Sequence, residues 1–499
     1  MSTLISSITQ ISKSKWYIRL FVRSLITITL VYISAYFRFT GINWDDFQHL
    51  HPDERFLTMV ASSIRPVDGG WEAYFDSSTS TLNPYNHGFS FFVYGTAPLF
   101  LVRYLAEWIN DFGVHLTSLW FGLEIELGNG YDEIHLVGRI VSAIADIISG
   151  LLLYLIGKLL YGRRVGLIAA VLYAGTVALV QQAHFFTVDS IATLFATAAI
   201  LFAARMTKYD RIYNYMVFGA LVGAAAASRI NLISLIVLMP ISVFCNYMNK
   251  KPKITIRSWV LLMCSRIMLV GIGIFLVFRI FQPYAFVGPS VLDVAPNMQW
   301  VDNMLEIRGQ MSGDVDFPPN HQWTNRKPLI FPWINMVRWG MGPALGVTAW
   351  LGFFLAFSQI IRQKSGWIFH VLPVVWSAIY FLWQGTQWVK PIRYFLPIYP
   401  TLILLAAWVL SECLEANLDR YRFRFNFVSN ALFVCGRYII VIGVVLGTLL
   451  YAFAFTRIYT RPITRVSASE WIYENVPGPF SIVIEGVDET IVQPLTMPD

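Results

Sequence analysis

The feature that most constrains this chain is a succession of apolar runs, each near the ~20 residues that a helix needs to cross a hydrocarbon core. They fall at 17–39, 134–157, 166–186, 190–205, 213–228, 230–247, 259–281, 337–361, 367–384, 395–412 and 431–455. Within a bilayer each backbone N–H and C=O must find its partner inside the protein, so such runs fold as helices and pack as a bundle. Composition agrees: 56% of residues are hydrophobic and only 13% charged, with a mean hydropathy of +0.55, too apolar for a soluble protein of this length. The expected fold class is an all-α polytopic membrane protein with about eleven transmembrane helices.

A net charge of +7 would suit nucleic acid if the basic residues formed one face or tail. They sit instead in short clusters between apolar runs: Lys158/Arg163/Arg164, Arg205/Lys208/Arg211, Lys250/Lys251/Lys253/Arg257, Arg362/Lys364 and Arg420/Arg422/Arg424. This is the pattern of cytoplasmic loops, so no nucleic-acid partner is expected. The N-terminus, with Lys13, Lys15, Arg19 and Arg23, also belongs in the cytoplasm, and the first run is too long for a signal peptide. The four cysteines, Cys245, Cys264, Cys413 and Cys435, lack the spacing of a disulfide framework or a zinc motif.

Segment 88–109 is also apolar enough to span, but counting it would turn every later basic cluster outward. It is therefore expected as an interfacial or re-entrant helix in a long outer loop, 40–133, with Arg103 and Glu107 four apart on one face. That loop carries many carboxylates. In this topology His51-Pro-Asp53-Glu54-Arg55, His184-Phe-Phe-Thr-Val-Asp189, Ser228-Arg229-Ile-Asn231 and Lys390-Pro-Ile-Arg393-Tyr394 all reach the outer side. Arg139, near the outer end of the second span, can join them. Acids and cations sharing a cavity at a membrane boundary can handle a polar headgroup whose tail stays in lipid.

Each motif also has a plainer reading. Pro52 and the acids after it suit the first turn of a juxtamembrane helix. Asp189 suits a helix cap, and Arg229 and Arg393 suit interfacial anchors. His49, His51, Asp53 and His87 make a loose set of metal ligands. Asp146, two turns beyond Arg139, fits a structural partner inside the bundle.

The order of these elements resembles the GT-C superfamily of polyprenyl-phosphate-sugar-dependent glycosyltransferases, over roughly residues 17–412. The residues that carry it are His-Pro-Asp-Glu-Arg-Phe at 51–56, Val137 to Ser142, Leu160 to Gly166, Gln182 to Ser190, and Arg393 to Pro397. The closest branch is that of protein O-mannosyltransferases and aminoarabinose transferases. The resemblance implies a GT-C-like bundle over 1–455, in the cell membrane, with its active site on the outer face. It implies a polyprenyl-phosphate sugar as donor, a hydroxyl acceptor in a protein, lipid or glycan, and inversion at the anomeric carbon. Asp53 corresponds to the general base, Glu54 to an acid that orients the acceptor or partners a cation, and Asp189 to a second acid that positions the acceptor or the sugar. Arg393, Lys390, Tyr394 and Arg229 would bind the donor phosphate, with His51, Arg55, His184 and Arg139 nearby.

Some features depart from that family. No β-trefoil domain is recognisable, the His87-Gly88 region lacks the lysine of the aminoarabinose branch, and Asp53-Glu54 is not the D-x-D that holds a divalent ion in some members. No cofactor is assigned, and a divalent metal stays open. Loop 283–335, rich in proline and with Trp300 and Trp323, suits either a cover over the cavity or an interfacial anchor. Segment 456–499 is expected either to pack on the membrane face or to begin a small outer α/β domain, with a short amphipathic helix, 467–475, and a strand, 480–485. The competing class is a lipid or solute transporter, which favours inverted repeats and mid-membrane breaks.

Overall fold

The computed structural model describes residues 21, 24–112, 116–118, 123–125, 127–250, 255–415, 427–478, 480–485 and 490–495. Lys13, Lys15, Arg19, Arg23, Lys251, Lys253 and the Arg420/Arg422/Arg424 cluster lie outside the described residues.

Among the described residues eight helices are long and apolar enough to cross a membrane, and a bent pair makes up to nine. Two shorter apolar helices, α1 (Ser24–Phe39) and α8 (Ile212–Ser228), fall within two further runs of the eleven expected. The chain is a multi-pass membrane protein. α2 (Pro52–Ser63) and α3 (Thr96–Phe112) lie in the first long loop. α4 (Tyr131–Leu160) is the second span. The third is broken into α5 (Arg163–Ala174) and α6 (Val177–Ala183), bent by 58°. α7 (Asp189–Lys208) and α8 follow, then α9 (Ile230–Lys250) and α10 (Ile256–Phe281). α11 (Met298–Ser312) lies in the second long loop. α12 (Pro343–Ile361), α13 (Ile368–Thr386), α14 (Tyr399–Glu415) and α15 (Phe427–Thr456) complete the spans.

The breaks position the site. The expected straight run 166–186 is cut at Gly175-Thr176, so α6 ends at His184 and the turn after it delivers Asp189 to the first position of α7. Pro391 precedes and Pro397 lies within a 3₁₀ turn, Ile392–Ile398, ahead of α14. Proline lacks the N–H of a regular helix, and this tighter turn carries Arg393 and Tyr394.

A main core runs through α4, α5, α7, α8, α12, α13 and α14. A second core joins the first long loop to α4: Leu57, Val60 and Ala61 of α2 and Leu99, Val102 and Ala106 of α3 pack on Ile134 and Val137, with Phe186 beside them. Segment 88–109 thus contributes α3 to a folded cap on the bundle. Arg103 meets Glu107 across one turn, as its spacing predicts.

Asp146, buried within α4, has a partner that the sequence did not announce. It accepts hydrogen bonds from the Arg38 guanidinium of α1 and, at 2.8 Å, from the Tyr173 hydroxyl of α5. Arg38 spends its remaining N–H groups on the Ser34 and Ala174 carbonyls at 3.2 and 3.0 Å. A charge in the membrane interior is tolerated when paired in this way, and the pair ties three spans together.

Two antiparallel hairpins complete the description. β1 (Leu116–Ser118) pairs with β2 (Leu123–Ile125), and β3 (Phe480–Glu485) with β4 (Thr490–Leu495), with Phe480 opposite Leu495. The strand expected at 480–485 is therefore one arm of a hairpin. The preceding helix, α16 (Thr464–Asn475), buries no side chain and gathers no apolar face, so its expected amphipathic character is not seen. Its Trp471 and Ile472 are offset by the polar residues distributed around every face.

Candidate active site

Asp53 and Glu54 are neighbours that face different ways. α2 starts at Pro52, and the His51 side chain caps it: Nδ1 accepts the Glu54 backbone N–H at 3.2 Å. The helix-start reading of this motif is correct locally, and it also sets the direction of both acids. Successive residues on a helix are turned by about 100°, so one carboxylate points into the protein and the other along its surface.

Glu54 is the inward one. Fully buried, it accepts two hydrogen bonds from Arg139, at 2.7 and 2.8 Å, and one from the Phe186 backbone N–H at 2.8 Å. Arg139 also meets Asp45 at 3.0 Å and the Ile42 carbonyl at 2.8 Å. Bidentate Arg–carboxylate geometry fixes orientation as well as charge. Gly138 makes room for this arrangement, because a Cβ there would lie 2.2 Å from the Phe186 ring. Of the two roles expected of Glu54, the geometry shows the pairing with a cation: Glu54 and Arg139 form a buried clamp.

Asp53 is the outward one. Its carboxylate accepts from the guanidinium of Arg393 and from the Tyr94 hydroxyl. Asp189 in turn accepts from Arg229. Tyr394 stands between the two arginines, its ring centroid 4.0 Å from Arg229 and 5.5 Å from Arg393. Asp189 is not a capping residue: the cap position is Val188, without a side-chain hydrogen bond, and the Asp189 carboxylate is spent on Arg229. The Asp53 and Arg393 side chains keep 23% and 25% exposure, whereas Asp189 keeps 6%. Arg229 keeps 17%, so the first pair is the more open of the two to an incoming molecule.

Burial pushes the Asp53 carboxyl up, but the Arg393 charge and hydrogen bond, with His51 and Tyr94, outweigh it and hold the group below the ordinary carboxylate range. Burial, aided by Arg393 and opposed by the carboxylates, lowers His51. Burial raises the Tyr94 hydroxyl, and the Asp53 charge adds to this, so Tyr94 stays a donor.

The other expected residues divide. His51 borders the cluster and stacks on Phe185 at 4.4 Å. His184 is buried between the Val180 and Thr40 carbonyls, at 2.8 and 3.0 Å, and stacks on Tyr459 at 3.8 Å; it packs the fold and does not reach the acids. Arg55 donates to the His49 carbonyl at 3.2 Å and bonds neither acid. Lys390 is buried, its ammonium bonded to the Trp388 carbonyl at 2.8 Å, and no contact joins it to Asp53 or Asp189. Its expected role at a donor phosphate has no geometric support in this conformation. His87 contacts the Thr81 carbonyl at 2.8 Å and His49 packs on His135, so the loose His49/His51/Asp53/His87 set is not assembled. Among the described residues no group of three or more His, Cys, Asp or Glu is arranged to hold a metal.

Sequence reasoning missed Tyr94, Asp45 and Phe185. Nothing around Val93-Tyr94-Gly95 signals a role. Gly95 explains the placement: a Cβ there would stand 2.1 Å from the Ala227 carbonyl oxygen, so only glycine lets the loop lie against the end of α8, two residues before Arg229.

Residues 127–281 match the family described as dolichyl-phosphate-mannose-protein mannosyltransferase. No curated protein matches the chain in sequence. In structure the chain is similar to the oligosaccharyltransferase of Archaeoglobus fulgidus in complex with Zn and sulfate, at 14% identity and TM-score 0.54, over 91% of this chain and 56% of that one. It is similar to the same archaeal enzyme, AglB, with an inhibitory peptide and a dolichol-phosphate, at 12% identity and TM-score 0.52, over 92% and 58%. ArnT from Cupriavidus metallidurans bound to undecaprenyl phosphate superposes at 13% identity and TM-score 0.42, over 86% and 80%. The bundle has the GT-C fold of membrane glycosyltransferases. The chain spans less than two thirds of the length of the archaeal oligosaccharyltransferase chains that it matches.

Proposed function

We propose that this protein transfers a sugar from a polyprenyl-phosphate donor to a hydroxyl acceptor at the outer face of the cell membrane, with inversion at the anomeric carbon. The observation that carries the reading is the pairing of Asp53 with Arg393 and of Asp189 with Arg229 around Tyr394, at one end of a GT-C bundle. The match of residues 127–281 to the mannosyltransferase family supports the same class of donor.

In this reading Asp53 takes the proton from the acceptor hydroxyl. The oxygen forms a bond to the anomeric carbon, the bond from that carbon to the phosphate oxygen breaks, and the lipid phosphate leaves with the electron pair. A hydroxyl is a weak nucleophile near neutral pH, and a positioned carboxylate contributes ~10²–10⁴-fold. Charge develops on the departing phosphate, where cations held in advance are effective. Arg393 is the more accessible cation and has five N–H donors in a planar fork, enough to serve Asp53 and a phosphate together. Arg229 and Tyr394 support it, and Asp189 fixes Arg229. Lys390 joins only if the 387–391 turn moves.

With Asp53 and Asp189 each bonded to a guanidinium, the residues present do not fit a divalent ion, and no step of this proposal runs through one. The N-terminus belongs in the cytoplasm, residues 1–455 form the transferase unit, and 456–499 form an outer appendage.

The test is donor consumption by purified full-length protein, wild type beside Asp53→Asn, against a panel of polyprenyl-phosphate sugars with membrane extract as acceptor source. Mass spectrometry of released lipid phosphate, seen with wild type and lost with the variant, supports the reading. No donor consumed by the wild type returns the weight to a transporter.

A further inference from the structure

α4 carries Arg139 near its start and Lys158 near its end, nineteen residues later. At 1.5 Å per residue the two are ~28 Å apart. α7 repeats the polarity, starting at Asp189 and ending with Arg205 and Lys208. The end of the bundle away from the acidic cluster is therefore basic, and Lys158 stands at its centre.

Two grooves meet at Lys158. One, of about 400 Å³, runs between α1, α4 and α5 and is floored by Leu30, Leu151, Tyr154 and Leu155, with Lys158 and Arg163 at its polar end. The other, of about 390 Å³, lies on the opposite flank of α4 against α7, with Leu155, Leu159 and Leu201 below Lys158, Arg205 and Lys208. Leu151 and Leu155 are 37% and 42% exposed, so the walls are open to lipid.

The four cations have no carboxylate partner among the described residues. Of the described acids at this end, Glu415 is taken by Arg164 at 2.7 Å and Asp210 by Arg266 at 3.3 Å, and Glu412 forms no ion pair with any of the four. Arg205 rests on neutral groups, the Asn214 amide oxygen at 3.2 Å and the Tyr213 hydroxyl. Lys208 is held by the Leu159 carbonyl and over the Phe369 ring at 5.1 Å. Arg205 and Lys208 are thus held in place with their charge unneutralised beside the exposed Lys158 and Arg163, which suits an anion, and basic pockets between membrane helices suit anionic headgroups.

We propose that this end binds one anionic diacyl phospholipid, its phosphate at Lys158 among Arg163, Arg205 and Lys208, with one acyl chain in each groove. A free phosphate would use the cations and leave both apolar grooves without a role. A zwitterionic lipid would use the grooves and leave the charge unanswered. The inference is independent of the proposed sugar transfer, since it shares no residue with the acidic cluster.

The experiment is native mass spectrometry of the delipidated full-length protein in detergent, titrated with phosphatidylglycerol, with phosphatidylcholine of the same chains, and with glycerol phosphate as competitor. The expected result is one phosphatidylglycerol per chain, bound at least tenfold tighter than phosphatidylcholine and not displaced by glycerol phosphate. Lys158→Gln with Arg205→Gln should weaken it at least tenfold. Leu155→Trp, which fills the wall shared by both grooves and alters no charge, should do the same and serves if the double variant fails to fold. Equal binding of the two lipids, displacement by glycerol phosphate, or variants that bind like wild type would overturn the proposal.

Discussion

Arg393 lies 340 residues after Asp53 in the chain, and its guanidinium is bonded to the Asp53 carboxylate. The pair joins the first long loop to the last part of the bundle, and it keeps the group proposed as base ionised and held in place before a substrate arrives.

Asp53→Asn keeps the shape of the side chain and removes its ability to take a proton. Sugar transfer should fall by ~10²–10⁴-fold, while the variant elutes as a single species with an unchanged helical spectrum. Turnover within a few-fold of wild type would reject Asp53 as the base.

The pH profile tests Arg393. The Asp53 carboxyl is held below its ordinary value of 3.8. Its folded value thus lies below its unfolded one, and the pair's contribution to stability is present above pH 3.8 and is lost as pH falls through the lower folded value. In Arg393→Gln burial remains and the cation is gone, so Asp53 should titrate at higher pH. The acidic limb of kcat/KM should move upward, and turnover at pH 7 should fall through loss of the phosphate partner. An acidic limb in the same position as in wild type would rule out control of Asp53 by Arg393.

Glu54 and Arg139 should behave as structure. Removing one partner of a buried ion pair costs about 3–5 kcal/mol, because the other charge is left uncompensated. Arg139→Met strands both Glu54 and Asp45, whereas Glu54→Gln leaves Arg139 still paired with Asp45. The loss of thermal stability in detergent should therefore be larger for Arg139→Met. The activity that survives in Glu54→Gln should show the wild-type pH profile; a shifted profile would give Glu54 a direct part in the chemistry.

Gly95→Ala introduces a methyl group 2.1 Å from the Ala227 carbonyl oxygen, whereas a Cβ at Gly271 meets nothing within 4 Å. The first change should push Tyr94 off Asp53 and lower turnover. Gly271→Ala should leave turnover unchanged. A functional Gly95→Ala protein with a normal rate would show that the Tyr94 contact is dispensable.

The sequence by itself determined that the chain is a multi-pass bundle of apolar helices and where along it the polar motifs fall. Both depend on local quantities: the length of an apolar run against the thickness of a bilayer, and the charges beside its ends. It also marked Asp53, Asp189, Arg229 and Arg393, because charges next to apolar runs stand out. Which charge meets which was decided only by the tertiary structure. Asp53 and Glu54 are adjacent and alike in sequence, yet one helical step sends Glu54 to Arg139 in the interior and Asp53 to Arg393 at the surface. Tyr94 and Arg38 were hidden for the same reason: an aromatic beside a glycine and an arginine at a helix end are ordinary locally. Their partners lie in segments more than forty residues away, and only the packing of α2, α4, α7 and the Ile392–Ile398 turn brings those segments together.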